Sequence, residues 1–391
     1  MTWVNPSVTK TQCGEPPTVD ATFECVEVCC RLIYQSNSQR WHMPSPGNIY
    51  LLRDTDLLTG AVSDYLKIGK TVNPTPSRVS GLQTGNPRRI IPEDSFFVPM
   101  MTDMETYLHH WFSSDRILGE WFDIDDTRMR NEVIPKINQL MQEQTSFISN
   151  LAICDWLNQS YDNGNVRNPT ADEQTLSDEL KSAREALKIA EAQHTINDCN
   201  LRAAIGSSNG IADIVMLIEK GQAPSFDQAA FIASLSAAQF ALCHSSGVEF
   251  SSKSTFQNRG NSLTTLDSAL KTALDSAKAS DPSPFPLTNV SNAILPRVSA
   301  LETLHRNWLG SRRNSAEQKW IIKQKETELK VSIGQDREIT GVMKWIREDV
   351  PYADKFSKSD AKENLRTEMS AFETPRPNHL AVEINECRPY P

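Results

Sequence analysis

The sequence predicts an α+β protein in which a small antiparallel sheet flanked by helices precedes a mainly helical C-terminal region. Three observations support this prediction. Short apolar runs alternate with turn residues between about residues 48 and 126, and longer helical spacing rich in Ala, Ser, Gln, Glu and Lys follows. At 391 residues, the chain is also too long for one ordinary core. We therefore expect an N-terminal extension (1–45), an α+β domain (46–128) and a helical region (129–391).

The elements of the α+β domain follow from turn signals. "MPSPG" at 43–47 is a breaker that precedes the strand "NIYLL", the turn "DTDLLTG" and the strand "DYLKIG". Pro and Ser in "PTPSRVSGLQTG" predict a helix start, and its last Gly predicts the end. A third strand is expected at "FFVPM", then a helix "DMETYLHHWFSS" capped by Thr102 or Asp103, and "GEWFDI" closes the unit.

Three long helices are expected in the remainder, at 175–206, 258–279 and 300–334. The first and third share an ending, since "LRAAIG" at 201–206 aligns with "LKVSIG" at 329–334, and apolar residues continue to match beyond it. This pattern indicates an internal duplication of a helix and a small capped unit, at about 175–250 and 300–385. The two units would pack on each other or hold their helices as an antiparallel pair.

The composition is that of a soluble protein, with 39% hydrophobic and 23% charged residues and no apolar run that could cross a bilayer. "MTWVNPSVTK" lacks the apolar core of a secretory signal, so we expect a cytoplasmic protein without a membrane partner. Cys25, Cys29 and Cys30 lack the CxxC pairs of a zinc knuckle. Buried thiols are therefore favoured over a zinc site completed by His42.

The charge is uneven along the chain. The formal net charge is −9, which argues against indiscriminate binding of polyanions, but averages hide patches. Between Tyr65 and Pro92 there is no acidic residue, and the cations there are Lys67, Lys70, Arg78, Arg88 and Arg89. The run is either a solvated face or a contact for nucleic acid.

The domain holds the parts that phosphodiester hydrolysis requires. Such a hydrolase needs a base or metal to activate water, and a cation to hold the phosphate. Tyr50 is a phenol that can accept a proton if a nearby cation lowers its pKa. Lys67 and Lys70 lie on either side of Gly69, where a missing side chain is expected to let a phosphate approach the backbone.

The two following helices add the remaining groups. Arg78, early on the first helix, offers a planar fork for two phosphate oxygens. Glu105 is a carboxylate that, with waters, suffices for Mg²⁺. His109 lies four residues later on the same helix face. Each residue alone also has an ordinary structural explanation, such as a favourable acid in a first helical turn for Glu105.

Five motifs in order resemble the GIY-YIG nuclease superfamily, and in particular its phage and bacterial branch with "KIG" where most members have "YIG". They are "IYLL", "LKIGKT", "SRVSGLQTGNP", "METYLHHWF" and "GEWF", within about residues 47–125. The resemblance implies that Tyr50 activates or orients water. Lys67 stands in place of a second tyrosine, and Lys70 matches a lysine often found after the glycine.

The resemblance also assigns the residues on the helices. Arg78 would stabilise the transition-state phosphate, Glu105 would bind one Mg²⁺ or Mn²⁺ ion, and His109 would handle protons or serve the structure. The change to Lys67 leaves Tyr50 or His109 as the base. A counterpart of the asparagine that most members place late in the domain is not evident.

The third long helix is basic, with eight Lys or Arg against four acids between Arg297 and Lys330. With Trp308, Trp320, Arg312 and Arg313 it is a candidate to lie along a duplex, or alternatively an exposed coiled-coil face. DNA is the expected partner, RNA is not excluded, and the helices offer a route to homo-oligomers. The sequence thus predicts a metal-dependent endonuclease of phage or mobile-element type. The rival hypotheses are a non-catalytic nucleic-acid clamp and a structural protein.

Overall fold

The computed structural model describes residues 45–84, 86–283, 285 and 291–390. Its helices and small antiparallel sheets confirm the predicted α+β class with a largely helical C-terminal region. The predictions for the cysteine cluster with His42 and for the N-terminal extension lie outside the described residues. None of the described helices is both long and apolar enough to span a bilayer.

The first domain is a five-stranded antiparallel sheet with helices on both faces. Its strand order is β3-β1-β2-β5-β4. The strands are β1 (Gly47–Thr55), β2 (Tyr65–Thr71), β3 (Arg89–Val98), β4 (Arg116–Leu118) and β5 (Trp121–Asp123). The helices are α1 (Thr75–Gln83), α2 (Met101–Trp111) and, after a short helical turn, α3 (Ile134–Asn158).

The start of α2 differs from the prediction. Thr102 and Asp103 do not cap it, because the helix begins at Met101 and has no side-chain cap. Instead, the Met101 backbone N–H donates to the Ser45 carbonyl at 3.0 Å, which joins the helix to the residues just before β1. A backbone partner therefore replaces the capping side chain.

Both faces of β1, an interior strand of the sheet, are buried. Ile49 and Leu51 pack against α2 and α3, whereas Tyr50 and Leu52 pack against Val79 and other residues of α1. Since side chains alternate across a strand, each helix layer receives every second residue. This alternation explains why "NIYLL" is apolar throughout.

The C-terminal region combines long helices with three small sheets. The strands are β6 (Val166–Arg167), β7 (Gly210–Ile211), β8 (Val215–Lys220), β9 (Ser225–Phe226), β10 (His244–Phe256), β11 (Glu338–Ile339), β12 (Met343–Phe356), β13 (Glu373–Thr374) and β14 (His379–Ile384). The helices are α4 (Ala171–Ile205), α5 (Gln228–Ser234), α6 (Ala237–Cys243), α7 (Leu263–Leu266), α8 (Ser268–Ser280), α9 (Ser299–Ile333), α10 (Lys358–Asn364) and α11 (Arg366–Ser370). The helix expected at 258–279 is broken at Asp267, whose side chain accepts from the Leu270 backbone N–H and starts a new helix.

The elements recur along the chain. We call residues 171–256 the first unit and residues 299–384 the second unit. Adding 128 to the residue numbers of α4 gives those of α9, since 171 becomes 299 and 205 becomes 333. The same shift of 128 residues aligns β7 with β11, and the start of β8 with the start of β12. The long helices end at Gly206 and Gly334, with φ of 59° and 57° that favour glycine.

Strand pairing recurs with the same shift but crosses between the units. β14 pairs with β8, placing Ile384 opposite Val215, and β10 pairs with β12, placing Phe256 opposite Met343. Each unit therefore completes the sheet of the other. The helices α4 and α9 lie antiparallel, joined by Arg184 and Glu326 at 2.7 Å near one end and by Asn197 and the Asn307 carbonyl near the other.

Helix α9 and the C-terminal residues hold the first domain in place. Arg312 of α9 donates to His110 of α2 at 2.9 Å and pairs with Glu386 at 3.0 Å. Glu386 also pairs with Arg116 of β4. Trp111 of α2 lies against the Arg313 guanidinium, 3.8 Å from the ring centre. The predicted nuclease unit is thus anchored on the second unit.

The His110 contact predicts that the free energy of unfolding depends on pH. Because a guanidinium only donates, His110 Nε2 must be unprotonated to accept its hydrogen bond. Burial and then Arg312 lower the pKa of His110 from 6.5 to about 4. Because the pKa of His110 is lower in the folded protein than in the unfolded chain, the unfolded chain binds a proton more readily. The free energy of unfolding should therefore fall as the pH drops from 6.5 towards 4.

Urea unfolding of the wild type and of His110→Gln between pH 4.5 and 7.5 tests this expectation. Glutamine keeps an acceptor but does not titrate, so the variant's unfolding free energy should fall less steeply with acid. Equal slopes for the two proteins would contradict the assigned role of His110.

Candidate active site at the open edge of β2

The predicted site residues gather around one edge of β2. Within β2, only Tyr65, Leu66 and Lys67 pair with β5. The outer edge of β2 is therefore open after Lys67. There the Ile68 N–H donates to the Glu120 carbonyl, and the Ile68 carbonyl faces the His109 side chain at 2.9 Å. The edge therefore brings α2 and the turn before β5 beside the "KIG" sequence.

The space beside Gly69 is taken by Tyr50. The two residues are directly opposed in neighbouring strands, and a Cβ on Gly69 would lie 2.5 Å from the Tyr50 hydroxyl. The expectation that Gly69 clears room for a phosphate is therefore wrong. Glycine is required because the phenol ring lies flat across the backbone.

Lys67 and Lys70 do not act side by side. Lys67 opposes Leu52 and shares the α1 face with Tyr50, whereas Lys70 opposes Ile49 and lies on the α2 face. The prediction that both lysines meet one phosphate together with Tyr50 is wrong for a simple reason. Residues separated by three positions in a strand point to opposite faces.

Each of these lysines has a carboxylate partner. Lys70 Nζ lies 2.8 Å from Glu105 Oε2, and Lys67 is hydrogen bonded to Glu120. Lys67 is almost fully buried, which makes its pairing with Glu120 important for the fold. Both ammonium charges are thus compensated within the protein.

Glu120 is a site residue that the sequence reasoning missed. Burial raises the pKa of its carboxyl, but the Lys67 hydrogen bond and charge, together with His109 and Arg78, outweigh burial and lower it below 4.5. A signal was present, because "GEWF" places a charged residue directly before two aromatic positions, of which Trp121 is half-buried and Phe122 is buried.

His109 has the protonation state of a base. Burial is the largest effect, and it lowers the pKa of His109 below 6.5. Because the Ile68 carbonyl can only accept, Nε2 carries the hydrogen and Nδ1 retains its lone pair. The charge of Arg116 also lowers the pKa of His109, whereas the charges of Glu105 and Glu120 oppose this effect without cancelling it.

Arg78 is the exposed cation of the site. It makes no ion pair within the part of the chain that the structure describes, so its charge is available to an anion. Its guanidinium approaches the Tyr50 hydroxyl, which is buried and lacks a well-formed hydrogen bond. Burial raises the pKa of Tyr50 above 10, and Arg78 opposes this effect without cancelling it.

The four residues predicted to bind nucleic acid differ in availability. Arg88 pairs with Asp54 at 2.8 Å and with Asp56, whereas Arg89 is exposed at the start of β3. Arg312 is committed to His110 and Glu386, as described above. Arg313 is exposed beyond its contact with Trp111.

Helix α9 does not offer a free basic face. It packs against α2, α3 and α4, and most of its cations have acidic partners. Lys319 pairs with Glu191, Lys323 with Asp103, and Lys325 with Glu179 and Glu328. The prediction that α9 lies along a duplex is therefore not supported, since its positive charge is used to bind neighbouring elements.

The described part of the site offers single oxygen ligands rather than a preformed metal cluster. In the residues that the structure describes there is no group of three or more His, Cys, Asp or Glu side chains suited to a metal. Glu105 supplies one carboxylate, which also pairs with Lys70 on the α2 face, whereas the buried Tyr50 hydroxyl lies on the α1 face beside Arg78. One carboxylate with waters fits Mg²⁺, which keeps several waters in protein sites.

Comparison of the chain with known proteins adds no relative to this description. No family model matches it, and neither a curated protein nor a solved structure is significantly similar. The site must therefore be interpreted from its own geometry and from the resemblance of its motifs.

Proposed function

We propose that the protein is a divalent-metal-dependent endonuclease of the GIY-YIG type that hydrolyses DNA phosphodiester bonds. The observation that carries this proposal is the gathering of Tyr50, Arg78, Glu105, His109 and Glu120 at the open edge of β2. These groups come from α1, α2, the strand β1 and the turn before β5. A purely structural role does not require an exposed arginine beside buried ionisable groups at a strand edge.

Arg78, His109 and Glu105 have different roles in the proposed hydrolysis. Arg78 binds and stabilises the phosphate oxygens, because it is the exposed cation at this edge and has no carboxylate partner among the described residues. His109 is the better base, since its neutral form has Nδ1 free while the raised pKa of Tyr50 disfavours a phenolate. Glu105 would hold Mg²⁺ or Mn²⁺, which lowers the pKa of bound water when present.

Two lysines pair with the carboxylates of this set. Lys70 orients the Glu105 carboxylate, and Glu120 orients Lys67, which stands where most members of the superfamily have tyrosine. Cys154, Cys199, Cys243 and Cys387 are free thiols, which supports our placing the protein in the reducing cytoplasm.

A non-catalytic nucleic-acid clamp is the second candidate. The Lys67–Glu120 pair favours it, because this pair replaces a tyrosine with groups that neutralise each other. A clamp would still use Arg78 but would not need the Glu105 carboxylate.

Nicking of supercoiled plasmid with Mg²⁺ or Mn²⁺ tests the proposal. We expect wild-type nicking that chelator abolishes, and loss of nicking in Glu105→Gln, because the neutral amide binds a divalent cation much more weakly than a carboxylate. Asp103→Asn is the matched control, since Asp103 lies on the same helix but pairs with Lys323 outside the site.

The alternatives give different results in the same assay. An inert wild type that retards DNA in a gel would favour the clamp, particularly if Arg78→Ala weakens binding. Equal nicking by the wild type and Glu105→Gln would reject the proposed metal ligand.

A further inference from the structure

The two units present equivalent outer faces, but only one of them is covered by other residues that the structure describes. In the second unit, the face around Arg312 and Glu386 holds the α+β domain through His110 and Arg116. The same shift of 128 takes Arg184 onto Arg312 and position 258 onto 386. Equivalent backbone hydrogen bonds support the correspondence up to these positions. The Gln257 N–H donates to the Val342 carbonyl, and the Asn385 N–H donates to the Ile214 carbonyl.

The corresponding face of the first unit is an open cleft of about 540 Å³. It lies between the middle of α4 and the end of β10. Its lining includes Arg184, Lys188, Glu191 and Arg259. The cleft therefore occupies the position at which the second unit binds a folded domain.

The sequence of the open face does not suit a second protein domain of that kind. Ala316 and Trp320 of α9 pack against the apolar core of the α+β domain, and their counterparts on α4 are Lys188 and Ala192. A lysine and a small residue thus replace the apolar contacts. The counterpart of Glu386 is the neutral Asn258, so the open face also lacks this negative charge.

The charge of the open cleft is positive. The Arg184 side chain pairs with Glu326, whereas Lys188 donates to the carbonyls of residues 259, 260 and 261 without a carboxylate partner. Arg259 is exposed, and within the described chain its guanidinium has no hydrogen bond or ion pair. Glu191 is the one acid of the lining, and Lys319 neutralises it.

We propose that this cleft, which we call the α4 cleft, binds the phosphate backbone of nucleic acid. Arg259 makes the direct phosphate contact, Lys188 adds positive charge, and Arg184 holds the loop that carries Arg259 by donating to the Asn258 carbonyl at 2.8 Å. This binding does not require cleavage. It adds a second contact, on the helical region, for the substrate class of the proposed nuclease.

Fluorescence anisotropy of the full chain in EDTA tests the proposal, with a labelled 20-nucleotide duplex DNA and an RNA of equal length as probes. Arg259→Glu should weaken binding about tenfold or more, because a charge-assisted hydrogen bond is lost and repulsion is added. The magnitude of the slope of log K against log salt concentration should fall by about 1, the value for the loss of one phosphate contact. Lys220→Glu is the control, since Lys220 is exposed on β8 and undergoes the same change of charge.

Each other outcome overturns the proposal. Equal weakening by both substitutions would indicate only the general charge of the protein, and no effect of Arg259→Glu would exclude the cleft. If polyglutamate of equal charge displaces the probe as well as DNA does, the cleft binds acidic protein instead. Nicking is measured separately, so failure of the nuclease proposal would leave this binding result intact.

Discussion

Replacing Arg78 by alanine should lower the rate of plasmid nicking about 100- to 1,000-fold, the usual effect of removing one group that stabilises transition-state charge. Arg78 is the exposed cation beside the buried Tyr50 hydroxyl, and it has no ion pair within the described chain. Its loss should therefore remove phosphate stabilisation without disturbing the core. The temperature of unfolding should stay close to that of the wild type.

Arg89→Ala is the matched control, because Arg89 is also an exposed arginine of the basic run but lies at the start of β3. Single-turnover nicking rates for both variants separate catalysis from general electrostatic attraction. A similar fall in both would mean that the basic run acts as a whole, and an unchanged Arg78→Ala rate would remove Arg78 from the site.

Replacing Gly69 by alanine should destabilise the α+β domain by about 1–3 kcal/mol, the usual range for an overpacked core. The new Cβ would lie 2.5–2.7 Å from three atoms of the Tyr50 phenol. Tyr50 is fully buried between β2 and α1, so the ring cannot swing into solvent. Nicking should also fall, because the strain acts at the hydroxyl that faces Arg78.

Gly81→Ala provides a control of opposite sign. Gly81 lies within α1, and a Cβ there would meet no atom within 4 Å. Alanine should stabilise this helix by roughly 0.5–1 kcal/mol, since it loses less backbone entropy than glycine. Urea unfolding measures both effects, and an unchanged stability in Gly69→Ala would contradict the described position of Tyr50.

The order of strands and helices in the first domain was predictable because it depends on local signals. Turn residues after "NIYLL" and Gly after "SRVSGLQT" mark ends wherever the chain lies in space. The shared endings of the long helices were also readable, since Gly206 and Gly334 both adopt the left-handed conformation that glycine favours. The cap of α2 was not predictable, because the carbonyl that replaces it belongs to Ser45, far away in sequence.

The sequence by itself determined which residue types stand near the "KIG" motif. Only the tertiary structure decided what they do, because the alternation of β2 separates Lys67 from Lys70 and gives each a carboxylate partner. Likewise, the basic composition of α9 was visible in the sequence, but the acids that neutralise it come from α2 and α4. A charge becomes available to a ligand only where folding leaves it without an opposite charge, as at Arg78 and Arg259 within the described residues.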